Sequence, residues 1–154
     1  MEIHDILNPK LFSGDKLKPE VREKINDIVD AFIDSLTIKP DVLDVELVGS
    51  NASYNYTKYS DLDVHIVTNF ELLSNDVVLL QALYNAEKSS FNKNHDIFIK
   101  GLNVELYVED VNAGTASNGV YSVLNDEWIK FPRKLTDVPE YDLSKQVSIW
   151  QDKI

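Results

Sequence analysis

The stretch LVGSNASYNYTKYSDLDVHIV, residues 47–67, decides how this chain reads. It closes one alternating segment, passes through Gly49 and Ser50, crosses a polar loop, and resumes alternation at Asp61. Residues two apart on a strand project from the same face, with Cα atoms roughly 6–7 Å apart. DLDVHIV therefore sets Leu62, Val64 and Ile66 on one face and Asp61, Asp63 and His65 on the other. Two carboxylates so close raise one another's pKa unless a cation lies between them. Magnesium relieves that conflict, because it takes one or two carboxylates together with substrate phosphates. The upstream turn supplies the matching half. Glycine allows close backbone approach, and N–H groups with a hydroxyl suit phosphate oxygens. Asp-x-Asp alone on a strand is commonly a solvated face; the Gly-Ser turn beside it is what favours a site.

Working outward, PEVREKINDIVDAFIDSL (19–36) repeats Val21, Ile25, Ile28, Val29, Phe32 and Leu36 at helical spacing, with Pro19 suited to a first turn. VLDVELVGS alternates Leu43, Val45 and Leu47 against Asp44 and Glu46, as a half-exposed strand does. SNDVVLLQALYNAEKSSF (74–91) predicts a second helix with Ser74 as its cap. HDIFIKGLNVELYVED predicts two strands joined near Lys100 and Gly101, the second alternating Leu102, Val104, Leu106 and Val108 with Asn103, Glu105, Tyr107 and Glu109. Residues 112–134 are turn-rich with no clear period, and DLSKQVSIWQDKI (142–154) predicts a last helix capped by Asp142. The expectation is an α/β (α+β) fold in one domain, 1–154: a mixed, half-exposed sheet with helices packed on one face and the acids on the other. Glu105, mid-strand on the polar face, is the preferred third carboxylate, with Glu46 and Glu109 meeting the same face criterion.

Composition narrows the ligand. The 154 residues carry 26 acidic against 15 basic side chains, a formal net charge of −11, and no cysteine. Nucleic-acid affinity comes largely from neutralised phosphates, so this balance weighs against a long polynucleotide as partner. Lys130, Arg133 and Lys134 in KFPRK are the nearest approach to a basic patch, enough for a small anion. No disulfide or thiolate site is available, the N-terminal residues show no signal-peptide pattern, and VVLLQALY (77–84) is too short to span a bilayer. A cytoplasmic location without membrane attachment is the resulting expectation.

Gly49-Ser50, ten intervening residues, then Asp61-Leu62-Asp63-Val64 resembles the signature of the nucleotidyltransferase superfamily typified by DNA polymerase beta. Val104-Glu105-Leu106 matches the apolar-acid-apolar strand holding that family's third acid, so the resemblance covers roughly residues 42–108. It implies Mg2+ or Mn2+, a nucleoside triphosphate substrate, and transfer of a nucleotidyl group to a small-molecule or protein hydroxyl with release of pyrophosphate. Carried over, Gly49 and Ser50 hold the triphosphate, while Asp61, Asp63 and Glu105 are the catalytic, metal-binding acids. Two departures stand: the loop after Ser50 lacks the glycine many relatives have, and the third acid is Glu rather than the commoner Asp. GVYSVLNDEWIKFP (119–132) is similar to small stand-alone members in tailed phages and bacteria. The spacing also resembles the minimal enzymes of toxin–antitoxin pairs and the core of oligonucleotide second-messenger synthases, which are about twice as long. The resemblance names no acceptor, base or oligomeric state.

Around this core, Lys58 in the loop is the candidate for a γ-phosphate and Arg133 for a bidentate phosphate clamp. A solvated lysine and a surface ion pair are the plainer accounts of each. Tyr54, Tyr56 and Tyr59 either stack on a base or pin the loop to the sheet. His65 either touches a phosphate or orients a metal-bound water, or is a hydrogen-bonded strand histidine, the plainer account; His95-Asp96 reads as a turn feature, and Tyr121 and Trp128 as core anchors before base platforms. Two other functions are compatible with the same residues: a nucleotide-binding or decoy module without chemistry, and a plain acidic interaction domain.

Overall fold

The computed structural model describes residues 3–114 and 116–134. Its two helices are written into the apolar spacing. α1 spans Pro19–Ser35 with proline in its first turn, and buries Val21, Ile25, Val29 and Phe32 along one stripe. α2 spans Val77–Asn94 and buries Leu80, Tyr84 and Phe91. Phe32 and Phe91 meet edge to face at 5.3 Å between ring centroids, joining the helices. The cap of α2 is Asp76, not Ser74 as the sequence predicts: the Asp76 carboxylate accepts the Leu79 N–H. Ser74 Oγ instead accepts the Asp76 N–H, one step outside the helix. A carboxylate also complements the helix N-terminal dipole better than a hydroxyl.

The described residues form eight strands, numbered in chain order: β1 (Phe12–Ser13), β2 (Lys16–Leu17), β3 (Asp44–Val48), β4 (Leu62–Thr68), β5 (Phe98–Ile99), β6 (Leu102–Asp110), β7 (Val120–Ser122) and β8 (Glu127–Lys130). β1 and β2 form a small antiparallel hairpin, and the other six form one open mixed sheet in the order β5-β6-β4-β3-β7-β8. β4 and β6 are parallel, connected through α2, and the remaining pairings are antiparallel. A parallel pair needs such a crossover, whereas β5 and β6 close directly through Lys100 and Gly101, both at positive φ. The fold is thus the α+β class expected, with a mixed sheet.

The alternation decides which face is covered. Val45, Leu47, Leu62, Val64, Ile66, Val104, Leu106 and Val108 are buried in one cluster with the helical stripes. Asp44, Glu46, Asp63, His65, Glu105 and Tyr107, on the opposite face, are only half-buried. The turn-rich region holds what its weak period hid: β7 and β8 extend the sheet on the β3 side. Tyr121 is fully buried there, packed edge to face on Trp128, whose Nε1 donates to the Asp15 carbonyl in the β1–β2 turn. Both aromatics serve as anchors. The helix expected at 142–154 lies outside the described residues, and among those described no helix is long and apolar enough to cross a membrane.

Candidate active site

One corner of the polar face brings Asp63 and Glu105 together beside the Gly-Ser turn. In the parallel register Asp63 lies directly beside Glu105, and in the antiparallel register it lies beside Val48. The chain then turns at Gly49, with φ +78°, into a 3-10 turn over Ser50–Ala52. The turn passes so close to β4 that a Cβ on Gly49 would sit 2.2 Å from Asp63 Oδ2. Only glycine satisfies both the left-handed backbone and that approach. Asp61, exposed, immediately precedes β4. Burial raises the Asp63 pKa above the usual carboxylate range, and the charges of Asp61 and Glu105 add to it, partly offset by His65. That electrostatic coupling is the effect expected of acids sharing one face.

The corner is held by a residue the sequence reading passed over. Asn51 is fully buried, and its Nδ2 donates to the carbonyls of Ser60 (3.1 Å) and Asp61 (2.8 Å). Its Oδ1 accepts from Asn8 Nδ2 at 2.9 Å. Ser50 Oγ donates to Ser60 Oγ at 2.8 Å, and Ser60 Oγ also accepts the Thr57 N–H. The two ends of the ten-residue loop are therefore pinned together, so that Gly49 and Asp61 stay in register across it. A buried amide with no period around it leaves little trace in a sequence; only its position just after Gly-Ser marks Asn51.

Lys88 is the second residue missed. Its Nζ lies 3.2 Å from Glu105 Oε1, and it stands 5.7 Å from the centre of the Tyr107 ring. It falls at helical spacing from Leu80 and Tyr84 on α2. A lysine on a core-facing stripe needs a partner for its charge, and that is the signal that marks it.

The other candidates stand on the loop and beyond β8. Lys58 is exposed in the loop, 5.1 Å above the Tyr59 ring, and lines a cleft of about 1080 Å³ with His4, Lys10, Tyr56 and Tyr59. Tyr56 is buried and stacked on His4 at 3.9 Å, and its hydroxyl donates to the Ile6 carbonyl, so it pins the loop. Tyr59 is 81% exposed. Arg133 is exposed beyond β8; its backbone N–H donates to Asn118 Oδ1 and its carbonyl accepts from Asn118 Nδ2. Neighbouring Ser117 accepts the Gly49 N–H at 3.1 Å, which brings this segment against the Gly-Ser turn. Gly119 belongs to the same contact: a Cβ there would meet the Ala52 carbonyl oxygen at 2.0 Å.

Glu46 and Glu109 share the face but lie farther along it. Glu109 is 5% exposed and bonds His65 Nδ1 at 2.7 Å. Glu46, beside His65 and Ser122, has its pKa pushed up to about 7 by burial, by a hydrogen bond with Asp44, and by the charges of Asp44 and Glu109. Neither neighbours Asp63 in register, whereas Glu105 does.

Asp61, Asp63 and Glu105 offer hard oxygen donors. Among the described residues, no group of three or more His, Asp or Glu side chains converges closely enough to enclose a metal ion. The donor set fits an ion that takes one or two protein carboxylates and completes its shell from phosphate and water, as magnesium does. Comparison with protein-family models, with curated proteins and with solved structures finds no match to this chain.

Proposed function

We propose that the chain is a metal-dependent nucleotidyltransferase, moving a nucleotidyl group from a nucleoside triphosphate to a small-molecule or protein hydroxyl. The observation that carries this reading is the contact between the Gly49 turn and the Asp63 carboxylate, with Glu105 alongside. A backbone turn suited to phosphate oxygens and acids suited to a divalent cation meet at one point. A triphosphate with its metal is a ligand that uses both at once. In this reading Asp61 and Asp63 hold Mg2+ or Mn2+, Glu105 supports the same charge field, and Gly49 and Ser50 border the triphosphate. Lys58, on the loop leading to Asp61, and Arg133, beyond β8, are the candidate phosphate contacts. The acceptor oxygen bonds to the α-phosphorus and gives its proton to water, while the bond from that phosphorus to the bridging oxygen breaks; an ion held by the acids would supply charge stabilisation for the departing pyrophosphate.

A second reading, a nucleotide-binding module without turnover, draws on a different observation. Glu105, the third acid of a catalytic set, already pairs with Lys88 Nζ, which leaves two carboxylates for an ion and its phosphates. Both readings are tested by thermal shift with the four NTPs and Mg2+ or Mn2+, repeated on the Asp61→Ala/Asp63→Ala variant. A ligand binding only the folded state raises Tm by mass action. The expected outcome is a metal-dependent rise lost in the variant, with pyrophosphate released by the wild type alone. A rise without pyrophosphate selects the binding module. No rise with any NTP rejects both.

A further inference from the structure

If Asp61, Asp63 and Glu105 all remained bare, three negative charges would crowd one corner of the sheet. One of them already has a cation. Lys88 Nζ is 3.2 Å from Glu105 Oε1, and the lysine side chain is only 19% exposed while that of Glu105 is 42% exposed. The lysine reaches the acid from α2, whose apolar stripe it shares, and its ammonium stands within cation–π range of the Tyr107 ring. Its position is thus fixed by packing rather than by a loose surface attraction. Glu105 in turn lies next to Asp63 in register. An ammonium in that place repels a divalent ion brought to the same carboxylate.

We infer that Lys88 is a resident cation of the acidic site, occupying Glu105 so that Asp61 and Asp63 hold a single divalent ion. This rests on the proposed function, because it concerns how many ions accompany the nucleotide. Lys88 then supplies, with a fixed charge, part of the neutralisation that a second ion would otherwise bring. It is a positioning residue toward the metal, acting through Glu105.

The test counts Mn2+ bound to the full chain by electron paramagnetic resonance, in the presence of a non-hydrolysable NTP analogue. The wild type is expected to hold one ion per chain. Lys88→Met keeps a stem of similar length beside Tyr107 and is expected to gain a second ion, or to tighten Mn2+ binding at least about tenfold, since a close repelling charge is gone. Lys88→Arg keeps the charge and should match the wild type, and adding Glu105→Gln to Lys88→Met should return the count to one. Two ions in the wild type overturn the inference, as does a folded Lys88→Met with unchanged count and affinity. Loss of nucleotide from Lys88→Met at an unchanged ion count also overturns it, since the ammonium would then serve the phosphates. No ion in any variant is a distinct result: it removes the proposed function and this inference together.

Discussion

The polar face of the sheet contains two groups of acids that alternation alone makes equivalent. At one end Asp63 lies against the Gly49 turn, with Glu105 beside it in register and the exposed Asp61 two residues before it. Farther along lie Asp44, Glu46 and Glu109. The second group is closed on itself. Asp44 accepts the Val45 N–H and the Ser122 hydroxyl, Glu109 bonds His65, and Glu46 is driven toward its neutral form near pH 7. The first group has one carboxylate held by Lys88, one, Asp63, against a glycine turn, and one, Asp61, exposed. Acids that answer each other's charge within the fold maintain the sheet; acids aimed at a turn backbone present charge to something outside it. Identity of residue and face is shared, so the neighbours make the difference.

The sharpest way to break this comparison is Gly49→Ala. The substitution forces a Cβ to within 2.2 Å of Asp63 Oδ2 at φ +78°. The strained backbone costs about 1–2 kcal/mol, and the carboxylate tip must swing away. Nucleotide affinity should fall by about a hundredfold or more, equivalent to about 3 kcal/mol, by titration calorimetry with Mg2+. Gly101→Ala is the control: its φ is +79° with nothing near the added Cβ. It should cost similar stability and leave nucleotide binding alone.

Next in size is Asn51→Ala, which removes the fastening between turn and strand. Three hydrogen bonds of a fully buried side chain are lost, and the Asn8 amide is left without its acceptor. The expected loss is about 3 kcal/mol in urea denaturation, with hydrogen exchange faster over residues 57–61 than over the Glu46 group. Equal acceleration in both regions would show that Asn51 supports the whole sheet and not this corner.

The Glu46 group makes the opposite kind of prediction, about pH. Its folded pKa of about 7 lies above the ordinary glutamate value of 4.5. The folded state therefore binds more protons between those values, so the contribution is full below about pH 4.5 and is lost as pH rises through 7. Glu46→Gln keeps the shape without the charge. It should be more stable than the wild type by about 1–3 kcal/mol at pH 8 and similar at pH 4, from urea midpoints. A variant less stable at pH 8 would mean that the charged form is the one the fold favours.

These contrasts also mark what the sequence carries openly. The helices, β3, β4, β6 and the Lys100-Gly101 turn were legible because burial imposes periods of 3.6 and 2 over long runs. The neighbouring of Asp63 and Glu105 followed from the same alternation once β4 and β6 were paired. β7 and β8 were hidden because three or four residues are too few to show a period, and the β1–β2 hairpin is shorter still. Asn51 and Lys88 were hidden for another reason. Their roles depend on contacts across 10 and 17 residues of chain, made by single side chains, and local spacing does not encode those. The cap of α2 fell between two adequate candidates two residues apart, where local geometry decides.

The smallest effects are expected from the two basic candidates at the margin of the corner, and they sharpen where it ends. Lys58 and Arg133 are both exposed, and neither forms an ion pair among the described residues. Lys58→Ala and Arg133→Ala should each change stability by less than about 0.5 kcal/mol, the ordinary range for surface substitutions. A solvent-screened contact to a phosphate is worth little more, so nucleotide affinity should fall roughly three- to tenfold for Lys58→Ala. That loss should shrink at 0.5 M salt, where the Debye length is about 4 Å and exposed charges no longer reach a ligand. Lys58 stands on the loop that leads to Asp61, whereas Arg133 reaches the corner only through Asn118 and the Ser117 contact with Gly49. The effect of Arg133→Ala should therefore be the smaller. Should Arg133→Ala prove the larger and persist in high salt, the phosphates lie on the Ser117 side of the Gly49 turn, and the loop lysine faces the acceptor instead.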